Sequence, residues 1–280
     1  MKKTILMCLR EPAVRGFLTV GLLTLLAGSV RADEFAYVLG GGTYPFGTVD
    51  LNTGAYTPAG SLLSSAYGFV VGLGVAGGTL YTEGQGGYQL DSVNPSNGAL
   101  ITEGGISTAG ASFFGSTTTG LYGMNDGSGD LFSINPLTGA ATPIGPTGLT
   151  SGGTALSTNS STLYYEYSGS LYTLNTTTGA ATLIGSNSSA VDALLYEAGT
   201  LYAGVTLCNG GPVGCTFSID TVNTSTGALT QGPFVVATGG VQALAPDPLS
   251  PPVSGTPEPG TVTLMLGGAA AIAGLKRVRR

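Results

Sequence analysis

Asn175-Thr176-Thr177-Thr178-Gly179-Ala180 is one of five copies of the same short turn, and its recurrence decides the fold. The others are Asp50-Leu51-Asn52-Thr53-Gly54-Ala55, Asn94-Pro95-Ser96-Asn97-Gly98-Ala99, Asn135-Pro136-Leu137-Thr138-Gly139-Ala140 and Asn223-Thr224-Ser225-Thr226-Gly227-Ala228. Each opens on Asp or Asn, whose side chain bonds nearby backbone, and closes on a Gly that accepts positive φ. Pro95 and Pro136 preset φ at the second position. The turn glycines are 44, 41, 40 and 48 residues apart, a period in the range of propeller blades.

Short alternating runs flank every turn. Phe46 to Asp50, Tyr88 to Asn94, Leu131 to Asn135, Leu171 to Asn175 and Phe217 to Asn223 precede it, and runs such as Ala140 to Ile144 and Ala180 to Ile184 follow. Both sets read as strands joined by a hairpin. A further strand lies ahead, marked by Ala36-Tyr37, Leu80-Tyr81, Leu121-Tyr122, Leu163-Tyr164 and Leu201-Tyr202. A small-residue strand comes before that: Tyr67 to Val71, Ala111 to Phe114, Gly153 to Leu156 and Val191 to Leu195. The first unit lacks this strand, and Gly239 to Leu244 supplies it at the other end.

Four strands per unit make a propeller blade. The expected fold is therefore all-β: a single β-propeller over residues 33–247, with five four-stranded blades, the first closed by Gly239 to Leu244. Closure by both termini removes the open sheet edge. A right-handed parallel β-solenoid would need coils nearer half this period, and a ring of more blades would need sequence that is already assigned. Small residues on the innermost strands are the expected packing solution around a crowded axis, and the Leu-Tyr pairs read as blade core.

Charge is distributed unusually. All nine Lys and Arg residues lie at or before Arg31 or at or after Lys276, every carboxylate but Glu11 lies between them, and the chain has no His. An acidic body without cations repels nucleic acid, whose binding depends on Lys and Arg neutralising phosphates. It equally lacks the clamps that nucleotides and anionic lipid need. Without His, the usual general base and every Ser-His or Cys-His nucleophile are absent.

The termini read as addresses. Lys2, Lys3, Arg10 and Arg15 precede an apolar stretch from Phe17 to Ala27, then Gly28-Ser29-Val30-Arg31-Ala32, which is the layout of a signal peptide over 1–32 cut after Ala32. An eleven-residue apolar core is too short for a membrane span. At the other end a Pro-rich spacer, 248–256, leads to Pro257-Glu258-Pro259, an uncharged apolar run from Gly260 to Leu275, and Lys276-Arg277-Val278-Arg279-Arg280. Sixteen residues at about 1.5 Å each span roughly 24 Å as a helix, a marginal crossing of a ~30 Å hydrocarbon layer. The basic end fixes the cytoplasmic side.

This tail, residues 257–280, resembles the PEP-CTERM sorting signal of Gram-negative bacteria. The resemblance implies handling of Pro257-Glu258-Pro259 by a membrane-embedded exosortase, with Lys276, Arg277, Arg279 and Arg280 as the basic stop. Signal peptidase and exosortase are then the partners during export, with transient inner-membrane anchoring through 260–275 before the cell surface or extracellular space. It also implies association with exopolysaccharide.

Candidate chemistry is sparse. From the strand Tyr to the turn Gly the spacings are 17, 17, 17, 15 and 25, so the last unit carries an insertion, and Cys208 and Cys215 sit in it. They bracket a loop of turn formers, and in an oxidising compartment they are expected to form a structural disulfide. Two Cys and no His are too few for zinc. No cofactor is expected. Asn125-Asp126-Gly127-Ser128-Gly129-Asp130 offers oxygen ligands, with Asp126 and Asp130 as a weak calcium candidate, yet it stands where a hairpin must turn. Glu83, Glu103, Asp126, Glu166, Asp192 and Glu197 are the pool from which paired carboxylates for glycoside hydrolysis would have to come. No motif surrounds them, and no catalytic residue is assigned. The expected function is a non-catalytic binding or structural propeller of the cell envelope whose Tyr-, Asn-, Ser- and Thr-rich faces suit polysaccharide. The alternatives are a carbohydrate-active enzyme and a spacer without a specific ligand.

Overall fold

The computed structural model describes residues 34–40, 45–61, 71–84, 88–106, 111–117, 120–125, 127–149, 153–158, 162–187, 189–208, 215–235 and 239–247. The expected signal peptide with Ala32, the spacer 248–256, Pro257, Glu258 and Pro259, the apolar run and the basic end all lie outside the described residues, as does Asp126.

The repeats fold as five antiparallel sheets, so the chain is an all-β five-bladed propeller. Blade 1 contains β1 (Phe35–Gly40), β2 (Pro45–Asp50) and β3 (Tyr56–Ser61), and blade 2 contains β4 (Val71–Ala76), β5 (Thr79–Gly84), β6 (Gln89–Val93) and β7 (Leu100–Gly105). Blade 3 follows with β8 (Ala111–Thr117), β9 (Gly120–Asn125), β10 (Asp130–Ile134) and β11 (Ala141–Pro146). Blade 4 has β12 (Gly153–Thr158), β13 (Leu163–Tyr167), β14 (Ser170–Leu174) and β15 (Ala181–Ser186). Blade 5 has β16 (Val191–Glu197), β17 (Thr200–Cys208), β18 (Cys215–Val222) and an outer strand split into β19 (Leu229–Thr230) and β20 (Phe234–Val235).

The last strand, β21 (Val241–Pro246), joins blade 1 as its innermost strand, with Ala36 opposite Pro246 and Val38 opposite Leu244. The expected closure by both termini is thus realised. Each innermost strand packs on the next around the ring, and β16 packs on β21 to complete it. The inner strand of blade 2 is Val71–Ala76; of the expected Tyr67 to Val71, only Val71 lies among the described residues. The strand runs straight into the two-residue turn at 77–78 that hands the chain to β5, so the hairpin sets its position.

Five apolar clusters occupy the five blade interfaces. Tyr37, Leu39 and Phe46 of blade 1 meet Leu73, Leu80 and Val93 of blade 2, while Tyr81, Leu90 and Ile106 meet Leu121, Phe132 and Ile134 of blade 3. Met124 and Leu131 meet Leu156, Leu163 and Tyr165, and Tyr164 and Leu171 meet Val191, Leu194 and Leu201. Phe217 and Ile219 of blade 5 meet Val38 and Val49 of blade 1. Successive side chains point to opposite faces of a strand, and both faces of a blade are covered by neighbours. The second strands are therefore buried almost continuously, as in Ala36–Gly40 and Leu80–Gly84, whereas the outer strands are largely exposed.

The repeated turn closes as its sequence requires. Asn175 Oδ1 accepts from the Thr177 and Thr178 amides at 2.8 and 3.0 Å, the Gly179 amide donates to the Asn175 carbonyl at 2.8 Å, and Gly179 has φ of 83°. Its second role is tertiary. The outer strand of each of the first four blades carries a glycine, Gly60, Gly104, Gly145 or Gly185, against which the turn of the next blade rests. A Cβ on Gly104 would lie 2.7 Å from the Thr138 carbonyl carbon, and on Gly185 2.8 Å from that of Thr226. At the closing junction Phe234 and Pro233 of blade 5 abut Gly54 of blade 1. The turn is thus both the hairpin of one blade and a peg against its neighbour.

Candidate functional site

Of the acids singled out from the sequence, two occupy one repeat position. Three residues along the second strand from Ala36, Leu80, Leu121, Leu163 and Leu201 stand Leu39, Glu83, Met124, Glu166 and Gly204, facing Phe46, Leu90, Leu131, Leu171 and Ile219 across the sheet. Glu83 and Glu166 therefore replace core residues. Both are buried, and neither Glu83 oxygen has a hydrogen-bond partner. Burial pushes the Glu83 carboxyl well above the usual range. Glu166 is raised to about 7 by burial, an effect opposed by bonds from Asn187 Nδ2, at 3.0 Å, and from the Ser170 and Gly169 backbone. Each side chain shares its face with the tyrosine two residues earlier, so Glu83 belongs to the interface of blades 2 and 3 and Glu166 to that of blades 4 and 5. They do not face each other.

The remaining acids are dispersed. Glu103 is half-buried on the outer strand β7, and Asp192 is the unpaired residue of a bulge in β16. Glu197 ends β16 and is raised by burial and then by Glu34 and Asp247, which gather at the closing junction. Asp130 accepts from Ser128 Oγ at 2.8 Å, while Asn125 Oδ1 takes the Gly127 and Ser128 amides at 2.8 and 2.9 Å, an Asx turn. Among the described residues no three Cys, Asp or Glu side chains come together in a metal-holding group. Cys208 and Cys215 are directly opposed in register and joined as a disulfide, with Cα atoms 4.2 Å apart, on the longest hairpin of the molecule's described part.

Sequence reasoning passed over one further feature. An open cleft of about 350 Å³ lies on blade 3, lined by Tyr122, Ser133, Asn135, Pro136, Leu137 and Thr142, with Gly120, Leu121 and Ile134 completing it. No ionisable acid or base other than the Tyr122 phenol lines it. Tyr122 is the third of the five strand tyrosines. Tyr37, Tyr81, Tyr164 and Tyr202 are buried, at 3, 5, 7 and 4 % exposure, and Tyr122 alone of the five is only half-buried. Three of the buried tyrosines have a polar partner from another segment: Asp247 for Tyr37, Thr224 for Tyr164, and Glu34 Oε2, at 2.7 Å, for Tyr202. Aligning the repeats would have shown the tyrosine column but not which member stays open.

No family model matches the chain, and no curated protein does. Solved structures do resemble it. A chain of a nidogen–laminin complex aligns with a TM-score of 0.52 at 8 % identity, covering 76 % of this chain and 98 % of that one. A symmetrical protein solved in work on de novo evolutionary emergence under folding constraints aligns with a TM-score of 0.50 at 14 % identity, over 76 % and 98 %. Hydrazine synthase of Kuenenia stuttgartiensis aligns at 0.44 and 14 % identity over 62 % of this chain, which spans 51 % of that one. At these identities the first two likenesses concern the fold alone.

Proposed function

We propose that the protein is an exported, non-catalytic propeller of the cell envelope or extracellular matrix that binds neutral polyhydroxylated ligands of the exopolysaccharide class. The observation that carries this reading is the uncharged cleft on blade 3, in which one aromatic ring, four apolar side chains and several hydroxyl or amide groups converge. That mixture is the general make-up of small-ligand sites. A body without Lys, Arg or His supports it, since phosphorylated and strongly anionic ligands would find no counter-charge. The placement of Glu83 and Glu166 in separate interfaces weighs against the competing reading, hydrolysis by two carboxylates across a groove.

Delivery follows from the termini. Signal peptidase removes 1–32, exosortase acts at Pro257-Glu258-Pro259, and the segment 260–275 holds the chain transiently in the inner membrane. The Cys208–Cys215 disulfide suits an oxidising compartment. Two experiments test the reading. The full-length protein should bind polysaccharide from the producing cell with or without calcium, and no binding in either condition would sink the ligand assignment. Replacing Pro257-Glu258-Pro259 by alanines should leave the protein in the inner membrane, whereas unchanged release would show that the tripeptide is no sorting signal.

A further inference from the structure

Four of the five strand tyrosines are closed off, and the way they are closed shows what the fifth is open to. Tyr164 stacks on Tyr196 with ring centroids 6.1 Å apart and planes at 10°, and Tyr37 stacks on Phe46 at 5.6 Å and 14°. Tyr202 donates to Glu34. At these positions the protein itself supplies the flat or polar partner a tyrosine seeks when it leaves water. Tyr122 is anchored on one side by the cluster of Leu156, Leu163, Tyr165 and Leu174. Its other side lines the cleft. Among the described residues none bonds its hydroxyl.

The surround completes a recognition surface. Leu137, 76 % exposed, and Pro136 are held by a rigid turn, because Asn135 Oδ1 accepts the Leu137 amide at 2.9 Å and the Gly139 amide donates to the Asn135 carbonyl at 2.9 Å. An exposed leucine beside a half-open tyrosine costs solvation and is retained on a frame that cannot collapse over it. Ser133 and Thr142 stand directly opposite each other on β10 and β11 and bring two hydroxyls to the same cleft. The volume of about 350 Å³ is at the small end of the ~300–1,000 Å³ that ligand sites occupy.

We infer that this cleft is a subsite for one neutral pyranose unit, its C–H face resting on Tyr122 and Leu137 and its hydroxyls meeting Ser133, Thr142 and the Asn135 amide. The inference rests on the ligand class proposed above and adds the place and the size. A pyranose has one apolar face and a rim of hydroxyls, which is the complement of this lining. A uronate or phosphorylated unit would bring charge into a site with no cation in an acidic body.

The experiment is affinity electrophoresis of the full-length protein in gels containing dextran or galactomannan, with alginate as the anionic comparison. The wild-type protein should be retarded by a neutral polymer and not by alginate. Tyr122→Ala should weaken retardation at least tenfold, Tyr122→Phe should retain most of it, and Leu137→Ser, a fully surface change, should weaken it several-fold. Leu137→Ser decides the matter if Tyr122→Ala does not fold. Retardation undiminished in these variants overturns the subsite while leaving polysaccharide binding intact. Equal retardation by alginate overturns the neutral-ligand assignment, and no retardation by any polymer overturns the ligand class itself.

Discussion

Gly104→Ala is expected to open the junction between blades 2 and 3. The new Cβ would stand 2.7 Å from the Thr138 carbonyl carbon. Carbon atoms in contact prefer about 3.5–4.0 Å, and the Thr138 carbonyl oxygen lies nearer still, so the two blades must separate locally by more than about 1 Å. The obstructing atoms belong to backbone, in a turn pinned by its own hydrogen bonds, so no side-chain rotation relieves the clash. Overpacking costs about 1–3 kcal/mol, and the rigid neighbour puts this case at the upper end, about 3 kcal/mol. For a domain of this size that lowers Tm by roughly 6–12 °C. Gly185→Ala should behave alike, since Thr226 plays the part of Thr138. Gly120→Ala is the control: nothing lies within 4 Å of its Cβ position and its φ is not positive, so it should be neutral or slightly stabilising. Differential scanning calorimetry and urea unfolding followed by circular dichroism provide the readout. If Gly104→Ala lies within about 0.5 kcal/mol of the wild type, the peg-and-glycine account of how blades meet is wrong.

Three further outcomes follow from the two buried acids and the disulfide-bonded hairpin. Glu166, raised from 4.5 to about 7, holds its proton more tightly folded than unfolded, so its protonated form stabilises fully below about pH 4.5 and that stability is lost as pH rises toward 7. The loss is up to about 3 kcal/mol, and Glu166→Gln should flatten the profile of urea midpoint against pH; an unchanged slope would refute the assignment. Glu83→Met places in blade 2 the residue that blade 3 has at Met124, and should stabilise the protein at pH 8 by about 1 kcal/mol or more, measured as a raised urea midpoint. Reducing Cys208–Cys215, or replacing both by Ser, should cost up to about 2–3 kcal/mol by freeing a short loop, read as a Tm difference with and without reductant.

The architecture was legible because its elements are local. Each turn is specified by six consecutive residues, each hairpin by the alternation on either side, and the blade count by the spacing of glycines. Even the closing strand could be placed, since a unit that begins at its second strand implies a first strand elsewhere. The reach of the blade 2 inner strand to Ala76 was not legible, because it is fixed by pairing with β5, Val71 opposite Glu83 and Ala76 opposite Thr79. The chemistry was less legible. Glu83 and Glu166 have no sequence motif, and their burial comes from the opposite blade covering their face of the sheet. Glycines at 60, 104, 145 and 185 recur six residues after each of the first four turn glycines, a period visible in the chain, but the reason for them lies in a neighbour some forty residues away.

The sequence by itself determined the turns, the five-unit period, the closure and the segregation of every cation into the termini. These are properties of composition and of contacts between residues close along the chain. Tertiary structure alone decided which tyrosine stays open, which carboxylates lose their solvent, and which glycines cannot carry a side chain. Those outcomes depend on how one blade covers the next. Burial and close approach are relations between distant segments, and identical residues at equivalent repeat positions meet different neighbours. Tyr122 and Tyr164 occupy the same place in their own blades, but Tyr164 has Tyr196 against its face and Tyr122 lines a cleft.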